Sequence, residues 1–87
     1  MAKAMQVSRS EREAFLTLLR EVRQEAGLRQ ADLAARLAVP QSFVSKIESG
    51  ERRLDILELR QLCAAVEISP LKFATRLEQS LSSIAAP

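Results

Sequence analysis

Between Leu28 and Gly50 the chain reads "LRQADLAARLAVPQSFVSKIESG", two amphipathic stretches of about two turns each, separated by the three residues Ala38, Val39 and Pro40. Helices that short are not stable alone in water, because few hydrogen bonds follow a costly nucleation step. Each must lay its apolar stripe against the rest of the chain: Leu33, Ala34 and Leu37 from the first, Val44 and Ile47 from the second. The short link leaves little freedom in the angle at which they cross. Any fold for this chain therefore has to supply a scaffold that holds two short helices in one fixed arrangement.

The flanking sequence predicts that scaffold. Ser10 and Glu13 have capping-box spacing, and Phe15, Leu18, Leu19, Val22 and Ala26 then recur at helical intervals until Gly27, which predicts a first helix over about 10–26. Pro40 suits the first position of the third helix, and Gly50 its end. Asp55 and Glu58 repeat the capping-box pattern before a fourth helix lined by Ile56, Leu59, Leu62, Cys63 and Val66. Ser69 as N-cap and Pro70 as first residue open a fifth, with Phe73, Ala74, Leu77 and Leu81 along one side. The expectation is an all-α protein, a compact five-helix bundle filling one domain over 10–82, with a flexible N-terminal arm over 1–9 and a frayed tail over 83–87. An apolar content of 47 %, rich in Ala and Leu and with Phe the only aromatic, agrees with packed helices better than with a β-sandwich.

Several function classes recede. No apolar run approaches the roughly 18 residues of a membrane span, and "MAKAMQV" lacks the apolar block of a signal peptide, so a cytoplasmic protein without membrane contact is expected. With one cysteine, Cys63, and no histidine there is neither an internal disulfide nor the usual zinc ligand, and no metal, cofactor or small-molecule ligand is expected. An enzyme is not expected either, for want of a histidine base or any nucleophile constellation. A net charge of +2 permits nucleic-acid binding without requiring it.

The decisive pattern lies in the second short helix. Two short helices joined by three residues match a helix-turn-helix unit, whose second helix enters the major groove of DNA. With Val44 and Ile47 inward, helical geometry puts Gln41, Ser42, Ser45, Lys46 and Ser49 outward. A carboxamide such as that of Gln41 matches adenine with two hydrogen bonds, serine hydroxyls suit donors or acceptors, and Lys46 suits guanine or phosphate. Phe43, at the edge of this face, suits a thymine methyl. Arg52 and Arg53, just past the helix, and Ser49 at its end are placed to hold flanking phosphates.

Residues 12–70, and above all "EAGLRQADLAARLAVPQSFVSKIESGERRLD", resemble the DNA-binding domain of the phage repressor, Cro and XRE-type regulators, a lambda-repressor-like fold. The resemblance implies that Gln30 binds a phosphate and braces Gln41, eleven residues on, which reads a base. It also implies that Arg23 and Glu48 pair as a structural brace for the recognition helix. The chain departs from the family pattern at Ala38, where Gly is common, and at Arg29, where a capping Ser or Thr is common; Arg29 is expected to trade the cap for a phosphate contact. So small a reader is expected to bind double-stranded operator DNA as a homodimer on a palindrome. The fifth helix, through Leu71, Phe73, Leu77 and Leu81, with Ile84 beyond, is the expected seam. A transcriptional regulator of the phage-repressor, restriction-modification-controller or antitoxin type follows. The alternative is a protein–protein interaction module that uses the same fold without DNA.

Overall fold

Ser8, not Ser10, caps the first helix. Both serines precede a glutamate by three residues, but in the computed structural model, which describes residues 5–85, the Ser8 hydroxyl accepts from Glu11 N–H at 3.1 Å and the Glu11 carboxylate accepts from Ser8 N–H at 2.9 Å. The earlier cap adds two residues of helical hydrogen bonding and lets Arg9 approach Glu13 one turn on, at 3.7 Å. Helix α1 thus spans Arg9–Glu25, followed by α2 (Gln30–Leu37), α3 (Gln41–Ser49), α4 (Ile56–Ala65) and α5 (Pro70–Ala85), with no strand among the described residues. Pro40 sits one position outside the place predicted for it: its extended backbone makes it the N-cap of α3 rather than the first helical residue. Helix α5 continues three residues past position 82, through Ala85. Residues 1–4 of the expected arm and 86–87 of the expected tail lie outside the described residues.

The core takes a contribution from every helix. Leu18, Leu19 and Val22 of α1, Leu33 and Ala34 of α2, Val44 and Ile47 of α3, Leu62 and Cys63 of α4, Val66 just beyond it, and Phe73 of α5 are all buried. Burying a side chain of the Leu, Ile or Val type contributes about 1.5–3 kcal/mol, which is how two helices too short to stand alone are held. Helix α5 closes on α1 through the Phe15 and Phe73 rings, edge to face at 6.0 Å, and through paired 2.7 Å hydrogen bonds from Arg76 to Glu25. Helix α2 packs on α3 and α4, while α3 also packs on α1. Some positions predicted on apolar faces miss the core: Ile56 is 73 % exposed, because the first turn of α4 projects past the core, and Ala74 of α5 is exposed as well.

Three helices end on the same left-handed device, only one of them with glycine. Gly27 after α1, Ala38 after α2 and Glu67 after α4 have φ of 75°, 57° and 60°. Each places the next N–H on a carbonyl one turn back: Leu28 on Arg23 at 3.1 Å, Val39 on Ala34 at 3.0 Å, Ile68 on Cys63 at 3.0 Å. At Ala38 the turn keeps its left-handed geometry, and alanine bears the strain of roughly 1–2 kcal/mol. Gly50, after α3, has φ 86° and no room either: a Cβ there would meet Leu16 Cδ1 of α1 at 3.0 Å.

Substitutions at these two turns should therefore act in opposite directions. Ala38→Gly should stabilise by about 0.5–1 kcal/mol, the relieved strain less the extra unfolded-state entropy of glycine. Gly50→Ala should destabilise by roughly 1–2 kcal/mol or more, since it adds strain and a contact with Leu16. Thermal unfolding checks both; equal melting temperatures for Ala38→Gly and the parent would show that the strain is no larger than the entropy glycine adds to the unfolded chain.

Candidate nucleic-acid interface

Helix α3 is held from behind by a buried charge pair. The Arg23 guanidinium, from the last turn of α1, donates to both carboxylate oxygens of Glu48, from Nε at 2.7 Å and from Nη2 at 3.0 Å, with the two side chains only 10 % and 6 % exposed. Arg23 Nη1 donates to the Leu28 carbonyl at 2.8 Å, and Gln30 Nε2 donates to Glu48 Oε1 at 3.1 Å. A single carboxylate thus links the end of α1, the α1–α2 turn, the start of α2 and the last turn of α3. Gln30 accordingly braces Glu48, rather than Gln41 as the family pattern implied.

The opposite face of α3 is open. Gln41, Ser42, Ser45 and Lys46 are exposed, and their side chains have no hydrogen-bond or ion-pair partner among the described residues. The helical spacing places all four on one strip, as the sequence predicts. Phe43 does not belong to that strip. Its ring packs at the margin of the core, in a cleft shared with Leu37, Val39 and Leu54, and the Arg52 guanidinium lies 4.3 Å above the ring centroid. A thymine methyl would have to compete with that stack.

The residues expected to hold phosphates divide. Arg53 is exposed without an ion-pair partner among the described residues. Arg52 is paired: its guanidinium donates to Glu58 at 3.2 and 2.8 Å and to the Arg53 carbonyl at 2.8 Å. Arg29 folds back on Asp32, its Nε and Nη2 donating at 3.0 and 2.9 Å, while its own N–H donates to the same carboxylate at 2.9 Å. Asp32 thereby supplies the reciprocal half of a capping box, while no side chain at position 29 accepts from a helix N–H. The paired guanidinium pulls the Asp32 carboxyl from 3.8 down to about 2. Because the folded value is the lower one, the pair's contribution is present above 3.8 and fades as pH falls towards 2. The Ser49 hydroxyl donates to the Lys46 carbonyl at 3.1 Å, closing the end of α3 rather than standing free. Arg12, not singled out from the sequence, lines a groove with Val7, Ser49 and Gly50 beside that same end. Nothing in its local sequence marks it, because only the packing of α1 on α3 brings it there.

The residues expected at a dimer seam also separate. Phe73 is 1 % exposed and belongs to its own core, and Leu77 packs against that core. Leu71 is 79 % exposed and Leu81 half-buried. Ile56 and Leu57 of α4, neither of them in the predicted seam, stand exposed on the rim of an apolar groove of about 270 Å³ between α4 and α5, floored by Leu59, Phe73, Ala74 and Leu77. Among the described residues no group of side chains is arranged to hold a metal ion, and no helix is long and apolar enough to cross a membrane.

Comparison with known proteins gives this geometry its context. A family model described as helix-turn-helix matches residues 19–73, which take in α2, α3 and α4 entire. An XRE-family-like protein from Pseudomonas syringae pv. tomato str. DC3000 is 46 % identical, with a TM-score of 0.74 over 79 % of this chain and 84 % of that one. The restriction-modification controller protein C.Esp1396I, solved as a tetramer in complex with its natural 35 base-pair operator, is 25 % identical with a TM-score of 0.74, over 84 % of this chain and 96 % of that one. The clp gene regulator ClgR from C. glutamicum is 26 % identical with a TM-score of 0.71, over 90 % and 97 %. No curated protein matches the sequence.

The brace makes a direct stability prediction. Glu48→Gln leaves the buried Arg23 guanidinium without its counter-charge, and removing one partner of a buried pair is expected to cost about 3 kcal/mol. Denaturant unfolding measures it, and an unchanged midpoint would show that the pair does not hold α3.

Proposed function

The chain belongs to the XRE-type helix-turn-helix family of DNA-binding transcriptional regulators, and from that membership we propose that it binds a palindromic operator as a homodimer, with α3 as the recognition helix. The observation that carries the reading is the asymmetry of α3. One side is locked by Val44, Ile47 and the Glu48 pair, and the other presents Gln41, Ser42, Ser45 and Lys46 without partners among the described residues. Such groups, rigidly held and free to bond, are what reading base edges in the major groove requires. Gln41 is the adenine reader, the serines and Lys46 adjust the neighbouring positions, and Arg53 holds a phosphate beside the groove. The operator bound by C.Esp1396I supports DNA binding by similarity.

The second half of the proposal concerns the seam. A reader of this size contacts few base pairs, and two copies across a two-fold axis double the contacts. The surface that suits a second copy is the α4–α5 groove with its exposed rim of Ile56 and Leu57 and the neighbouring Leu71, because it is apolar and adjoins the loop that carries Arg53. A two-fold there would set two recognition helices about 34 Å apart, one turn of DNA. Phe73 and Leu77 support the seam from beneath rather than form it.

Selection of bound duplexes from a random pool tests the whole reading: a palindromic consensus is the expected result. Recovery of no duplex, together with a stable complex with another protein, would favour an interaction module instead. Within the DNA reading, Gln41→Ala should cost about 1–3 kcal/mol on the selected site and little on random DNA. Arg53→Ala should weaken both and lower the log–log salt slope by about one. Equal losses for Gln41→Ala on the two DNAs would remove Gln41 from the base-reading set. For the seam, Leu57→Glu alters an exposed side chain and should leave a folded monomer that binds the full palindrome poorly. Sedimentation of that variant beside the parent is the check, and a parent that stays monomeric on saturating operator would end the dimer proposal.

A further inference from the structure

Arg52 and Arg53 are adjacent arginines just past the end of α3, yet their surroundings differ completely. Arg53 is exposed with no ion-pair partner among the described residues. Arg52 makes two hydrogen bonds to Glu58, a third to the Arg53 carbonyl, and holds its Cζ 4.3 Å above the Phe43 ring centroid. Both hydrogens of its Nη1 are engaged, and the aromatic ring lies against the guanidinium. Glu58 is equally constrained. It stands in the first turn of α4, where its carboxylate also accepts from Asp55 N–H at 3.0 Å while its own N–H donates to Asp55 at 2.8 Å. It cannot swing aside without opening that cap.

Resting on the DNA-binding reading above, we propose that Glu58 withholds Arg52 from the DNA backbone, making Arg52 a positioning residue for the α3–α4 loop and lowering affinity for DNA of every sequence. A phosphate would have to displace a carboxylate already bound through two charge-assisted hydrogen bonds, then remain beside the negative charge it had displaced. The exchange gains nothing in geometry and adds a like-charge contact. What Arg52 does instead is tie the loop. Its N–H donates to the Lys46 carbonyl at 3.1 Å, its side chain reaches forward to Glu58 of α4, and Nη1 grips the carbonyl of Arg53. The backbone that carries Arg53 is thus held between α3 and α4. Each phosphate contact adds affinity without regard to sequence, so a masked arginine lowers binding to random and operator DNA alike while the base-edge contribution of α3 persists.

The test is the salt dependence of binding to random and selected duplexes by the full chain and by Glu58→Gln, Arg52→Gln and the double variant, with circular dichroism confirming the fold of each. Glu58→Gln frees a guanidinium and should bind random DNA several-fold tighter, with the log–log slope steeper by about 0.9. Arg52→Gln in the parent should weaken binding to the selected site through the loop yet leave the slope unchanged. The same change on top of Glu58→Gln should remove the added 0.9 or so. A parent slope that falls by about one in Arg52→Gln, or a Glu58→Gln slope equal to the parent's, overturns the proposal. Arg52→Gln alone decides the point should Glu58→Gln fail to fold. A parent that shifts neither duplex at any salt overturns the DNA-binding reading itself, a result distinct from bound DNA with the slopes in the wrong order.

Discussion

A carboxylate buried behind α3 is the constraint on which the rest of this structure depends. Glu48 faces Arg23 through two hydrogen bonds and receives a third from Gln30, while Arg23 also grips the Leu28 carbonyl. Hydrophobic contacts alone would bring α3 to the core, but Val44 and Ile47 are non-directional and would tolerate some rotation about the helix axis. Charge-assisted hydrogen bonds do not, since they lose strength steeply when misaligned. Such a pair adds little net stability over a well-packed apolar substitute, and its value here lies in orientation. Rotation of α3 by one position, about 100°, would replace Gln41 and Ser45 on the open face with core residues.

The surface of the molecule shows a second pattern, in which most arginines are already answered. Arg29 is paired with Asp32, Arg36 with the Ala65 carbonyl and Glu67, Arg52 with Glu58, and Arg76 with Glu25. Lys46 and Arg53, on or beside the open face, have no such partner among the described residues. A chain with thirteen basic residues and a net charge of only +2 therefore does not present a uniform positive surface. Arg12, Lys46 and Arg53 leave unpaired positive charge on and beside α3, and Arg20, Arg60 and Lys72 are exposed without an ion pair elsewhere among the described residues. The ion pairs elsewhere are partly exposed and contribute little to stability individually, yet they decide which cations remain available.

Strain and caps follow the same local logic. Ala38 holds a left-handed turn that glycine would adopt freely, because the short link between α2 and α3 needs that geometry to cross them correctly. Arg29 occupies a capping position it cannot fill; its side chain offers no acceptor to the first-turn N–H groups, and only the reciprocal half of a capping box remains, in which the Asp32 carboxylate accepts from Arg29 N–H. Neither departure from the family pattern alters the backbone course of the α2–α3 unit: Ala38 adopts the left-handed turn at a cost in strain, and α2 still starts at Gln30.

Much of this was legible in the sequence. The five helices, the inward set of Leu33, Val44 and Ile47, and the outward strip of Gln41, Ser42, Ser45 and Lys46 follow from periodicity, which fixes faces once a helix forms. Helix ends were less secure, as at Ser8 against Ser10, because two equivalent capping boxes overlap and nothing local ranks them. What only the tertiary structure decided was which polar and apolar side chains remain free. Arg52 and Arg53 are indistinguishable as neighbours in sequence, and the difference arises from Glu58, six residues from Arg52 and brought back by the turn into α4. Phe43 and Phe73 looked available as apolar residues on helix faces, but one is covered by Arg52 and the other by the core. Exposed Ile56 and Leu57 emerge only because α4 starts beyond the packed layer. Periodicity is a property of one helix and can be read along the chain, whereas availability depends on which other element arrives at the same place.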